Sequence, residues 1–249
     1  MTGGALGFLT ILGRGEHARP SARTLVWFGP VGAVVGAIVG LAGWGAAELW
    51  PAVVAGATMV AVDGAVTGLL HLDGLADAGD GLIGPMESPA RRLDVMSTPD
   101  VGAFGVATVG IVLAVRTAGL IALVPLAPGW RLPAVLAAWW AASRAAMAIA
   151  LLTQPPARPG GMTALFGCTR SERTARLAGV AIASLPLAVV AAYAGRQWAG
   201  VAGIAGVGVG TIAVLVLARR RIGGITGDVL GAAGVIGETV AILAGSAHR

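Results

Sequence analysis

Residues 26–49 read VWFGPVGAVVGAIVGLAGWGAAEL, and Glu48 is the only charged side chain among them. About 20 consecutive apolar residues are enough for a helix to cross the hydrocarbon core of a bilayer, so this stretch alone is long enough to span. Similar runs follow at about Pro51–Leu70, Ala103–Val124, Pro133–Thr153, Leu177–Ala194, Trp198–Ala218 and Ile225–Ala244. The composition agrees. Of 249 residues, 56% are hydrophobic and 12% are charged, where soluble domains carry roughly 25% charged residues. The mean hydropathy is +0.84. These features predict an all-α, polytopic integral membrane helix bundle of about seven transmembrane helices. They form a single transmembrane domain over residues 1–249, with no internal repeat and no soluble second domain.

The glycine pairs Gly36-x3-Gly40 and Gly206-x3-Gly210 fall inside spans. They predict close helix packing in lipid rather than a nucleotide loop, which needs a preceding strand. Cys168 is the only cysteine, which excludes an intrachain disulfide and a cysteine metal cluster. No cleavable signal peptide is expected, because Arg14 and Arg19 follow only a short apolar run, Ala5–Leu12.

The net charge of +5 comes from arginine alone, since the chain has no lysine. In a soluble protein such a balance would suggest nucleic acid. Here the arginines sit at the ends of apolar runs, so they read as topology signals, and no nucleic-acid partner is expected. With the N-terminus inside, twelve arginines lie in cytoplasmic segments (Arg14, Arg19, Arg23, Arg91, Arg92, Arg158, Arg170, Arg173, Arg176 and Arg219–Arg221). Only Arg131, Arg196 and Arg249 lie outside. The positive-inside rule then predicts N-terminus in, C-terminus out, in the inner (cytoplasmic) cell membrane. Arg219–Arg221 read as topology and anionic-lipid contact. Arg116 and Arg144 fall within spans, where a charge is usually paired. For Arg144 the reading is a phosphate clamp or a partner for Glu238 or Asp228.

Acids concentrate in HLDGLADAGDGL, residues 71–82. On a continuous helix Asp73, Asp77 and Asp80, spaced four and three apart, share a face. No arginine or lysine lies among them. Uncompensated carboxylates repel, and a divalent cation relieves the repulsion. An oxygen-rich, sulfur-free set suits Mg²⁺, which completes its shell with water and phosphate. Gly74, Gly79 and Gly81 would let a phosphate approach the backbone. The chemistry that fits is transfer of a phosphate-linked group. His71, beside the acids, reads as a metal ligand, a general base or a structural histidine. The topology places this stretch, the loop 154–176 and Asp228 on one membrane face, so the site is expected to face the cytoplasm. A secondary transporter is the alternative from another class, given intramembrane Asp63, Arg116, Arg144 and Glu238.

His71-Leu72-Asp73-Gly74-Leu75-Ala76-Asp77, followed by Asp80-Gly81, resembles the signature of the cobalamin synthase (adenosylcobinamide-GDP ribazoletransferase) family. Other segments resemble it too: Asp100–Gly105, Ser143-Arg144 with Pro156–Gly161, and Gly223–Ala232 with Glu238 beyond. The run Met96–Asp100 departs from the family pattern, lacking a basic group. The resemblance implies a transmembrane catalytic domain over the whole chain. Its substrates would be adenosylcobinamide-GDP and α-ribazole or its 5′-phosphate, with Mg²⁺ as cofactor and GMP released. It implies His71, Asp73, Asp77 and Asp80 as catalytic, with Asp73, Asp77, Asp80 and Asp228 on the metal. Gly74, Asp100, Arg144, Arg158 and Glu238 would bind substrate. A CDP-alcohol phosphotransferase, with a similar aspartate pattern, is the enzyme alternative. The oligomeric state, a homo-oligomer included, is left open.

Overall fold

The structure is a computed structural model of the chain, described at residues 2–11, 22–161, 166, 169–194 and 198–247. Arg14, Arg19, Cys168, Arg196 and Arg249, used above, lie outside these residues. Ten α-helices are described: α1 (Thr2–Leu9), α2 (Phe28–Leu49), α3 (Ala52–Thr67), α4 (Leu70–Ala78), α5 (Pro89–Val95), α6 (Ala103–Leu123), α7 (Arg131–Thr153), α8 (Arg170–Ala194), α9 (Trp198–Ile222) and α10 (Gly227–Ser246). Among the described residues the only β feature is an isolated parallel bridge between Pro156 and Ile225. Six helices are long and apolar enough to cross a membrane, and the α3–α4 pair, counted as one, makes a seventh.

That seventh span differs from the expected continuous helix Pro51–Leu70. α3 stops at Thr67, and the chain turns by 95° into α4. Gly68 and Leu69 both take left-handed backbone angles, φ 63° and φ 60°. Gly68 does so freely, whereas Leu69 does so against a steric cost of roughly 1–2 kcal/mol. The Leu69 carbonyl is repaid by accepting from the amides of Leu72 and Asp73, each at 2.9 Å. The break separates Asp63, inside the bundle, from Asp73 and Asp77, which ride on α4 across its end.

α8 also starts earlier than its apolar run, at Arg170 rather than Leu177. A capping box accounts for the extra turns. Thr169 donates its amide to Glu172 Oε2 at 3.0 Å, and Glu172 returns its own amide to Thr169 Oγ1 at 3.4 Å. This reciprocal pairing satisfies helix-end donors that an apolar pattern does not register.

Glycines set the tightest packing. A methyl group on Gly36 would lie 2.4 Å from the Leu136 carbonyl oxygen, and one on Gly40 would lie 2.3 Å from Pro133 Cα. α2 and α7 therefore touch backbone to backbone, as small residues permit in lipid. Gly206 and Gly210 do the same for α9 against α10, facing Ala241 and Gly237. Both pairs pack helices, as their spacing predicts. Gly36→Val is expected to lower stability by about 1–3 kcal/mol through overpacking. Gly45→Ala, a site with open space around it, should melt like the parent in detergent. Equal melting of Gly36→Val and the parent would contradict this packing.

Candidate active site

α4, the start of α6, the start of α10 and the loop after α7 meet at one end of the bundle. Their meeting is set by backbone contacts. A side chain at Gly74 would lie 2.9 Å from Asp228 Cα, and one at Gly231 would lie 3.3 Å from His71 Cα. Glycine at both positions lets α4 cross directly over the first turns of α10. The loop after α7 is stitched to the approach to α10. Ile225 donates its amide to Pro155 at 3.0 Å, and Ala157 donates to Ile225 at 2.9 Å.

Between these elements lies a cavity of about 240 Å³, lined among others by His71, Asp73, Asp228, Met147, Gly7 and Phe8. His71 is buried, and its Nδ1 has no hydrogen-bond partner among the described residues. A buried polar nitrogen left unpaired is costly, and His71 is also one of the residues that line the cavity. Asp73 is exposed, and Asp228 sits in the first turn of α10. Thr226 caps that helix by accepting from the Val229 amide at 3.2 Å, and its hydroxyl donates to Asp228 Oδ2 at 3.1 Å. Asp77 is close enough to Asp228, Asp73 and Asp80 to be repelled by all three, most strongly by Asp228. None of Asp73, Asp77 and Asp228 forms an ion pair among the described residues.

Asp80 stands apart from that group. α4 runs into a π-helical turn, Gly79–Ile83, which shifts Asp80 off the straight α-helical register. Its carboxylate accepts from the Gly102 amide at 2.7 Å and from the Gly105 amide at 2.8 Å. Asp80 is thus the N-terminal cap of α6, and both of its oxygens are occupied.

Arg92 holds the same turn from the other side. It is buried, and Nη1 donates to the carbonyls of Gly81 at 2.7 Å, Gly84 at 3.0 Å and Leu82 at 3.3 Å. Nη2 donates to Met86 at 2.6 Å. One guanidinium closes the carbonyl end of the segment that carries the acids. Arg92→Met should cost about 2–3 kcal/mol and speed hydrogen exchange over residues 79–86, with Arg92→Lys recovering part of the loss. Unchanged exchange in Arg92→Met would overturn that assignment.

The remaining expected residues fall elsewhere. Asp100 is exposed in the loop before α6. Arg158 donates to the Leu93 carbonyl and lies near enough to Asp228 to attract it. Arg144 and Glu238 lie inside the bundle in a four-residue charge network. Arg144 Nη1 stands 2.7 Å from Glu238 Oε1 as an ion pair, although that oxygen has no well-aligned hydrogen bond. Arg116 Nη2 bridges Glu238 Oε2 at 2.9 Å and Asp63 Oδ2 at 2.8 Å. Asp63 Oδ1 also accepts from Trp140 Nε1 at 2.9 Å, and the Arg116 guanidinium lies 4.8 Å from the centre of that indole ring. Two guanidiniums thus face two carboxylates in the apolar interior.

Three features of this region are not legible in hydropathy or residue spacing. The wall built by Gly7 and Phe8 arises because Phe8 stacks on Phe28, 5.5 Å between centroids, and meets Phe166 edge-on at 5.6 Å. The Asp63–Arg116 pair joins residues 53 apart in sequence, and the Arg92 clamp depends on the fold of the turn just before it, which helical periodicity does not mark. The Thr226 cap, by contrast, is readable as a capping residue ahead of an apolar run.

Comparison with known sequences covers the chain nearly from end to end. The sequence model of the cobalamin-5-phosphate synthase family matches residues 2–246. An adenosylcobinamide-GDP ribazoletransferase of Thiobacillus denitrificans is 37% identical, over 96% of this chain and 92% of its own length. Proteins of the same name from Bradyrhizobium diazoefficiens and Roseiflexus sp. are 33% and 32% identical, over 98% and 96% of this chain and 92% and 87% of theirs. No solved structure matches. With the match covering every element that builds the cavity, the chain belongs to the cobalamin-5-phosphate synthase family.

Proposed function

We propose that this chain is an adenosylcobinamide-GDP ribazoletransferase. It joins adenosylcobinamide-GDP to α-ribazole or its 5′-phosphate and releases GMP. The observation that carries this reading is the cavity in which unpaired His71 faces Asp73 and Asp228, within a chain similar to transferases of that name along nearly its whole length. In the reaction a ribazole hydroxyl oxygen forms a bond to the phosphorus attached to cobinamide. The bond from that phosphorus to the oxygen bridging to GMP breaks, and GMP leaves with the electron pair. His71 takes the hydroxyl proton at Nδ1. The cavity walls, Phe8 among them, keep bulk water from competing for the phosphorus.

Hard carboxylate oxygens without basic partners fit Mg²⁺. No group of three or more ligating side chains is gathered for a metal among the described residues, so one or two carboxylates would hold the ion and leave the rest of its shell to water and phosphate. Asp73, Asp77 and Asp228 are the residues for this, ahead of Asp80, whose oxygens cap α6. When bound, the ion would neutralise charge developing on the departing phosphate. The arginine distribution supports a cytoplasm-facing site in the cytoplasmic membrane.

The test is turnover by the full chain in lipid with adenosylcobinamide-GDP, α-ribazole and Mg²⁺, following GMP and the corrinoid product. Product formation that EDTA abolishes and added Mg²⁺ restores is expected. A folded protein giving no product, beside an active relative as control, would overturn the proposal.

A further inference from the structure

A second concavity lies at the same end of the bundle but outside the acid-lined cavity. It measures about 450 Å³ and is bounded by Thr153 and Gln154 at the end of α7 and by Ile212, Leu215, Val216, Arg219 and Arg220 of α9. On α9 these residues fall at i, i+3, i+4, i+7 and i+8, so they form one continuous stripe. The stripe has a sharp polarity step. Three aliphatic side chains line the part deeper in the bundle, and two guanidiniums close the end. Ile212 and Val216 are 61% and 43% exposed, and Arg219 and Arg220 are exposed as well. Among the described residues neither arginine is in an ion pair, and none of those lining the groove is acidic.

We infer that this groove is a binding site for an anionic phospholipid. One acyl chain lies along Ile212, Leu215 and Val216, and the phosphate sits between Arg219 and Arg220. The commitment to a lipid rests on charge complementarity combined with the order of the surfaces. A free phosphate compound would gain nothing from the aliphatic floor, and a neutral lipid would leave two cations unpaired. α9 runs into α10 through a short turn, so an occupied groove lies at the end of the bundle where Asp228 stands. Each arginine near an anionic surface contributes roughly a fivefold gain in binding.

The test is lipid retention by the full chain purified in detergent and read by native mass spectrometry. Phosphatidylglycerol and phosphatidylcholine are offered together. The wild-type chain is expected to keep phosphatidylglycerol in preference. Arg219→Gln/Arg220→Gln should weaken that preference by about thirtyfold. Val216→Trp, which fills the groove and keeps every charge, should also abolish it, whereas Arg221→Gln should lower it by no more than about fivefold. All these positions are on the surface, so the fold is undisturbed. Equal retention by Val216→Trp and the wild-type chain would overturn the site and leave only diffuse surface charge. Displacement of the lipid by an equal concentration of glycerol 3-phosphate would overturn the lipid in favour of a free phosphate compound.

Discussion

Asp73→Asn is expected to lower GMP release by about 10²–10³-fold, the scale seen when one electrostatic contact to a developing charge is removed. It should leave the protein as stable as the parent or more so. Asp73 is exposed at the cavity and among the carboxylates that repel Asp77. Neutralising it relieves repulsion and leaves no buried group without a partner. A fall in turnover with an unchanged melting profile therefore separates chemistry from folding. Isothermal binding of Mn²⁺, used as a probe ion, should weaken in the same variant. Full turnover in Asp73→Asn would remove this aspartate from the mechanism, whatever the rest of the cluster does.

Glu238→Gln is expected to do the opposite, costing about 3–5 kcal/mol of stability. Glu238 is fully buried and, among the described residues, is the only acid shared by Arg144 and Arg116. Without its charge, two buried guanidiniums face Asp63 alone, and an uncompensated buried charge is costly. Adding Arg144→Met to Glu238→Gln restores one cation to one anion and should return a large part of the loss. Thermal unfolding in detergent measures both. A single variant that melts like the parent would mean that the network carries little net energy. The double variant also reports on Arg144 itself. If it is folded but inactive, Arg144 or Glu238 acts on substrate beyond the ion pair between them. If it is folded and active, the ion pair is the whole of their role.

Much of this was legible from residue order, and the legible parts share a cause. Spans such as Phe28–Leu49 follow from local hydropathy, because a helix that crosses lipid must satisfy its backbone internally and present apolar side chains. Glycine spacing at 36 and 40 predicted close packing because i, i+4 positions share a helix face. The acids of residues 71–82 were visible as an uncompensated cluster in a chain with few charges.

The sequence by itself determined that the protein is a helical membrane bundle, which residues cross the bilayer, and that the acids gather near one end. Only the tertiary structure decided their partners. The α3 helix breaks at Gly68–Leu69 although the hydropathy runs on past Thr67, because a left-handed pair of residues leaves no trace in average polarity. Asp80 completes an i, i+4, i+7 spacing with Asp73 and Asp77, yet a π-helical turn delivers it to the amides of Gly102 and Gly105. Arg116 carries no local mark to distinguish it from Arg144, and both are paired through Glu238. Hydropathy and helical periodicity are properties of neighbours along the chain. Capping by Asp80 and the Asp63–Arg116–Glu238–Arg144 set depend on atoms brought together across tens of residues, and the Arg92 clamp depends on how one turn folds back on itself. Packing alone selects those pairs.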